Sequence, residues 1–269
     1  MAQRAAAFFD LDKTIIARSS TLAFTRPFGR AGLLGRRAVL RSAYAQLVYV
    51  MNGADHDQLE RMRAYLSEMV AGWEVEQVRG IVAETLHDLI DPTVYAEAVA
   101  LIEEHRAAGR DVVVVSASGA EIVEPIAAAL GADHVIATRM AVADGRYTGE
   151  IDFYAYGENK ATAIRELAER SGYYLEASYA YSDSITDVPM LSAVGHSFAV
   201  NPDRVLRRLA GTNGWGVLTF SRPVSLRSRL APPTPVLVTL TATIAAAVVG
   251  YAVWQLLTRR RPHLGRSVH

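Results

Sequence analysis

Short uninterrupted apolar runs alternate along the chain with longer stretches in which apolar residues recur every three or four positions. Three of the runs, Ala5–Phe9, Asp111–Val115 and Ser178–Ser182, read as buried strands. Val112 to Val115 is four valines without alternation. A strand covered on both faces needs such a run, and a parallel sheet between two helical layers supplies both covers. Val135–Thr138 and Ser197–Val200 are further strand candidates. Between Met140 and Phe153, the segment Ala143-Asp144-Gly145-Arg146 predicts a hairpin turn, because Asp-Gly tolerates the positive φ of tight hairpins.

Helical spacing fills much of the remainder. Leu59, Met62, Leu66, Met69 and Val70 fall three or four apart, as do Val75, Val78, Val82, Leu86 and Leu89, predicting two amphipathic helices. Val94–Ala108 runs to Gly109 and Glu121–Leu130 to Gly131, each glycine suited to ending a helix. A further helix is expected over Glu158–Glu169. Strands alternating with helices imply a doubly wound α/β core with a parallel sheet. From about Ser19 to Ile90 there is no strand signal, so a helical insert, or cap, is expected after the first strand. The expected organisation is a core of residues 1–18 and 91–220, a cap over 19–90, a Pro/Arg-rich linker over 221–235 and a final apolar segment over 236–257.

That final segment differs in kind. Val236 to Leu257 is 22 positions without a charge, preceded by Pro232-Pro233-Thr234-Pro235 and followed by Arg259-Arg260-Arg261. About 20 apolar residues cross a bilayer's hydrocarbon core, so a transmembrane helix is expected here. Met1 to Asp10 has no signal-peptide pattern. The expected location is therefore the cytoplasmic side of a membrane, through a single-pass C-terminal anchor. Arg26 to Arg41 carries five arginines and no acid, a solvated helical face or a surface for anionic headgroups.

Composition narrows the chemistry. With no cysteine, disulfides, thiol nucleophiles and thiolate metal sites are excluded. Lys plus Arg and Asp plus Glu balance at 28 each, so nothing suggests a nucleic-acid partner. Only Lys13 and Lys160 of those 28 cations are lysines. The first strand ends in Asp10-Leu11-Asp12, and two carboxylates two apart share one side of an extended backbone. Buried together they repel, unless a cation or protons neutralise them. The second strand leads into Ser116-Ala117-Ser118-Gly119 and a helix, where a hydroxyl and free N–H groups face a bound anion. The third leads into Asp183-Ser184-Ile185-Thr186-Asp187. In open α/β sheets ligands bind beyond the carboxyl ends of the strands, so Asp10, Asp12, Ser116 and Asp183 can converge there.

The ordered pattern Asp10-x-Asp12-x-Thr14, Ser116 after a valine run, Lys160, then Asp183-x-x-x-Asp187 resembles the four motifs of the haloacid dehalogenase superfamily, over roughly Ala5 to Pro202. A helical cap between the first two motifs resembles the subfamily that includes phosphoserine phosphatase. The resemblance implies a Rossmann-like core and a Mg²⁺-dependent phosphate monoester hydrolase working through an aspartyl-phosphate. Asp10 would be the nucleophile, and Asp12 would protonate the leaving alcohol and then deprotonate water. Mg²⁺ would be held by the Asp10 carboxylate, the Asp12 main-chain carbonyl and Asp183. Ser116, the Ala117 N–H and Lys160 would bind the phosphoryl group, with Asp187, Thr14 and Thr186 in support. Asp187 precedes Val188-Pro189 and could equally be a helix N-cap.

The substrate is less legible. Phosphoserine phosphatases carry an acid nine or ten positions after the nucleophile, where this chain has Ser19 and Ser20, and Asp183–Asp187 lacks their glycine and asparagine. The partner expected is a small phosphorylated metabolite, with O-phosphoserine one candidate. A lysophospholipid or glycerophosphate, a phosphotransferase reaction and a non-catalytic scaffold stand as alternatives.

Overall fold

The computed structural model describes residues 4–34 and 69–223. Among them, seven strands form one sheet in the order β4-β3-β2-β1-β5-β6-β7. They are β1 (Ala6–Asp10), β2 (Asp111–Gly119), β3 (His134–Ala143), β4 (Arg146–Phe153), β5 (Tyr179–Ser182), β6 (His196–Val200) and β7 (Gly216–Leu218). All neighbours are parallel except β3 and β4, which are antiparallel. The helices are α1 (Ser20–Ala23), α2 (Thr25–Arg30), α3 (Val75–Leu89), α4 (Ala96–Ala107), α5 (Ala120–Ala129), α6 (Glu158–Ser171), α7 (Val188–Ser192) and α8 (Arg204–Asn213).

Successive strand residues point to opposite faces, and the core divides accordingly. Ala7, Phe9, Val112 and Val114 pack in one layer with Ile102 of α4 and Ile126 of α5. Ala6, Phe8, Val113 and Val115 pack in the other with Ile164 of α6, Leu191 of α7 and Leu206 of α8. Each of these strand residues is 0% exposed, which accounts for a valine run with no polar alternation. The expected doubly wound core is present.

The hairpin forms at the expected four residues. Ala143 pairs with Arg146, and Asp144 (φ 50°) and Gly145 (φ 74°) take the two left-handed positions of a tight turn. Strand β2 runs four residues past the expected Val115. It pairs Ser116 with Ala137 and Gly119 with Thr138, so Ala117 and Ser118 bulge from the ladder. Strand β7 and helix α8 carried too short or too arginine-rich a pattern to be read from the sequence. Of the helix expected over Leu59–Val70, Met69 and Val70 are helical and the rest lies outside the described residues.

The expected location is corrected. Among the described residues no helix is long and apolar enough to cross a membrane. The longest, α3, has 15 residues and includes Glu76, Arg79, Glu84 and Asp88, whereas a span needs about 20 apolar residues. The segment 236–257 on which the anchor rested lies outside the described residues. The placement at a membrane face is withdrawn.

Register sets the level of the chemistry. Asp10 pairs with Val115, so Ser116 stands one residue further along. Phe9 pairs with Tyr181, which brings Ser182 level with Asp10 and Asp183 one step beyond. The chain runs outward from β1 to β4 on one side, then returns to β5 on the other. The gap between β1 and β5 is the topological switch point of the sheet.

Candidate active site

At that switch point Asp10, the last residue of β1, is 6% exposed, and Lys160, from the first turn of α6, is 2% exposed. Lys160 Nζ lies 2.8 Å from Asp10 Oδ1 and 2.8 Å from Asp187 Oδ2, bridging two carboxylates out of water. Ser182 Oγ donates to the same Asp187 oxygen at 2.7 Å. Asp187 is the N-cap residue of α7, yet its side chain makes no capping bond. Its carboxylate is turned to Lys160 instead, which decides between the two roles open in the sequence.

The loop after β1 is tightly folded. Lys13 adopts φ 63°, and the amides of Ile15 and Ile16 both return to the Leu11 carbonyl at 2.9 and 3.0 Å. This turn buries Thr14, whose Oγ1 accepts the Asp183 amide at 3.0 Å and ties the β1 loop to the β5 loop. Thr186 stays within the β5 loop, 2.8 Å from Ser184 Oγ. On the β2 side, Ser116 Oγ accepts the Ser118 amide at 3.1 Å, and Thr138 Oγ1 donates to the Ala117 carbonyl at 2.7 Å. Ser116 lies in the strand, four residues before α5, so it is not that helix's cap.

Asp12 sits between these loops. Ser118 Oγ donates to its Oδ2 at 2.9 Å, and the Ser20 amide donates to Oδ1. The structure thus brings Asp10, Lys160 and Asp187 into direct contact, and Asp183 to Thr14. It holds Asp12 on Ser118 and Ser20. Three residues were missed: Ser182, Ser118 and Ser20. Ser182 and Ser118 stand within two residues of a motif position, in Tyr-Ser-Asp and Ser-Ala-Ser-Gly, which was the available signal, whereas Ser20 lies eight residues beyond Asp12 and carried none.

The charges do not balance locally. Asp10, Asp12, Asp183 and Asp187 stand against Lys160 and the exposed Lys13. Burial raises the Asp10 pKa well above the ordinary carboxylate value; Lys160 opposes this, while Asp187, Asp183 and Asp12 add to it. At Lys160 burial works against the charge, but Asp10 and Asp187 overcome it, so the ammonium is held more firmly than usual. The crowding of negative charge therefore disfavours the ionised form of Asp10, while the lysine stays charged. Asp183 is pushed up to about 6, by burial first and then by Asp187, against Lys13 and Lys160. Such a surplus suits a divalent cation, whose charge would restore both carboxylates. Among the described residues no three His, Cys, Asp or Glu side chains are arranged to hold a metal. A cation here would need a main-chain carbonyl beside two carboxylates. An all-oxygen set of that kind suits a hard ion that keeps several waters.

A separate cavity of about 270 Å³, lined by Phe153, Tyr154, Asn159 and Glu166 among others, lies beside β4 and α6 and contains none of these carboxylates.

Comparison with known proteins identifies the family. The family model described as haloacid dehalogenase-like hydrolase matches residues 7–192. A Mycobacterium tuberculosis (strain ATCC 25618 / H37Rv) protein named "probable phosphatase" is 63% identical over 258 residues, covering 95% of this chain and 90% of the relative. A phosphoserine phosphatase of the same strain is 32% identical over 259 residues, 96% of this chain and 81% of that protein. A Bordetella pertussis protein described as of unknown function has a crystal structure that superposes with TM-score 0.71. The two are 31% identical, and the match covers 81% of this chain and 99% of that one.

Proposed function

The chain belongs to the haloacid dehalogenase-like hydrolase family, and from that premise we propose that it hydrolyses the phosphate monoester of a small metabolite through an aspartyl-phosphate at Asp10. It is a phosphatase of that family, related to phosphoserine phosphatases. The observation that carries the proposal is Lys160 set between Asp10 and Asp187, 2.8 Å from each, beyond the end of β1.

Lys160 occupies Oδ1 of Asp10, which leaves Oδ2 to attack phosphorus. In the first step a bond forms between that oxygen and phosphorus, and the bond to the leaving oxygen breaks. The leaving oxygen takes its proton from Asp12. In the second, Asp12 takes a proton from water, the water oxygen attacks phosphorus, and Asp10 is released with inorganic phosphate. Ser116, whose oxygen already accepts the Ser118 amide, has its own O–H to donate to a phosphoryl oxygen, joined by the Ala117 N–H. Lys160 offsets negative charge on both the nucleophile and the phosphoryl group, with Asp187 and Ser182 orienting its ammonium. Asp10, the Asp12 carbonyl and Asp183 would hold Mg²⁺, which when bound supplies neutralisation and polarisation of the phosphoryl oxygens. Thr14 and Thr186 support the two loops.

O-phosphoserine is the first substrate to test, since a relative 32% identical carries that name. The experiment is Mg²⁺-dependent phosphate release from p-nitrophenyl phosphate, then from a panel with O-phosphoserine, glycerol phosphate and lysophosphatidate. Asp10→Asn abolishes release, and acid quenching of the wild type with labelled substrate traps a phosphoprotein. Retained turnover in Asp10→Asn would end the proposal.

A further inference from the structure

Three hydroxyls form a relay that ends on Asp12. An ionised carboxylate only accepts hydrogen bonds, and a hydroxyl has one proton and two lone pairs. Asp12 Oδ1 takes the Ser20 amide, and Oδ2 takes the Ser118 hydroxyl at 2.9 Å. Ser118 thereby commits its one proton. Its two remaining contacts, Ser20 Oγ at 2.8 Å and Thr21 Oγ1 at 3.0 Å, must then both donate to it. Ser20 and Thr21 point their protons at Ser118, and Ser118 points its own at Asp12. Donors stacked in one direction polarise one another and strengthen the last bond of the chain.

The backbone is built to hold this arrangement. Ala117 and Ser118 are the two residues that β2 carries in excess of β3, which lifts Ser118 out of the ladder and over the β1 loop. Thr138 fixes the bulge through the Ala117 carbonyl, and Ser116 fixes the Ser118 amide. Ser118 is 8% exposed and Ser20 is 0% exposed, so water is kept from the bond between them, while Thr21 approaches from the exposed side.

We propose that Ser118, with Ser20 and Thr21 behind it, is the positioning residue for Asp12, fixing the carboxyl from which the leaving oxygen takes its proton. This rests on the reading of Asp12 as the proton donor. A residue that positions a general acid matters most when the leaving group needs its proton. p-Nitrophenolate departs readily without one, whereas the more basic phenolate does not.

The test compares kcat/KM for phenyl phosphate and p-nitrophenyl phosphate in the full-length protein with Mg²⁺. General acid catalysis contributes about 10²–10⁴-fold, so loosening its geometry in Ser118→Ala is expected to lower phenyl phosphate about tenfold and p-nitrophenyl phosphate about twofold or less. Thr21→Val removes one of the two donors and shows the same bias in smaller measure. Ser118→Thr, which keeps the hydroxyl, restores wild-type selectivity and carries the comparison if the alanine variant folds poorly. Equal loss on both esters, or no loss, overturns the role of Ser118. Asp12→Asn is measured alongside. If it shows no leaving-group bias, the proton-donor reading of Asp12 is what has failed.

Discussion

Replacing Lys160 with Met, of similar length but uncharged, removes the cation shared by Asp10 and Asp187. Both ion pairs are 2.8 Å long, and all three residues are no more than 6% exposed. Removing one partner of a buried pair costs about 3–5 kcal/mol, because the other charge stays desolvated and alone. Here two carboxylates lose the same partner, so the upper half of that range is expected, against a total stability of about 5–15 kcal/mol for a domain. The loss depends on pH with a defined sign. Asp10 is already raised by burial, and Lys160 is the influence that lowers it. Without Lys160 the Asp10 pKa in the folded state rises further above its unfolded value, so the variant recovers stability relative to wild type as pH falls, compared at pH 8 and pH 5. Urea unfolding followed by circular dichroism at both pH values measures this. A Lys160→Met/Asp187→Asn double variant is expected to be more stable than Lys160→Met alone, because one unpaired carboxylate is gone. A single variant within about 0.5 kcal/mol of wild type, the scale of an ordinary surface substitution, would refute the reasoning, as would strict additivity in the cycle. Phosphate release should fall by at least about 10²-fold, the usual effect of losing a group that stabilises transition-state charge.

Three other outcomes follow from the same coordinates. Asp183 sits at about 6 without a cation, so protons compete with Mg²⁺ for it. The apparent Mg²⁺ affinity in activity titrations should weaken as pH falls through that value, and a flat profile from pH 5 to 8 would contradict the proposal that Asp183 is a ligand. His105 is buried, its Nδ1 accepting Arg110 Nε at 2.7 Å and its Nε2 lying 2.8 Å from Tyr181 Oη, and burial followed by Arg110 lowers its pKa to about 4. The unfolded chain then binds more protons between about 6.5 and 4, so stability declines as pH falls through that window, and His105→Gln should flatten that part of the unfolding curve. At Gly195 an added Cβ would lie 1.9 Å from the Glu176 carbonyl oxygen. Gly195→Ala should therefore lower stability by about 1–3 kcal/mol, the usual range for overpacking, and an unchanged Tm would show that the loop yields without strain.

The legible parts of the fold were those where local rules act alone. The valine run at 112–115 became a strand with each of those residues 0% exposed, because burial on both faces is written into its residues, and Asp144-Gly145 became a left-handed turn pair, which needs no distant partner. Gly109 follows α4 at φ 72° and Gly131 follows α5 at φ 71°, as the terminators predicted. Strand β7 was not legible. Three residues carry no periodicity, and their pairing with Phe198–Val200 depends on β6 being in place. The bulge at Ala117-Ser118 was hidden for the same reason, since it is a mismatch between two strands and neither strand alone contains it.

The sequence alone singled out the candidate acids and the candidate lysine, and the strand ends at which they stand. Burial on both faces writes itself into composition, and a parallel sheet follows from the alternation of strands with helices. Only the tertiary structure decided which side chains meet. It set Asp187 on Lys160 instead of on its own helix, gave Asp12 to Ser118 and Ser20, and buried Asp10 so that its ionised form is disfavoured. Those outcomes depend on distances of a few ångströms between segments as many as 150 residues apart, and no local pattern encodes such distances.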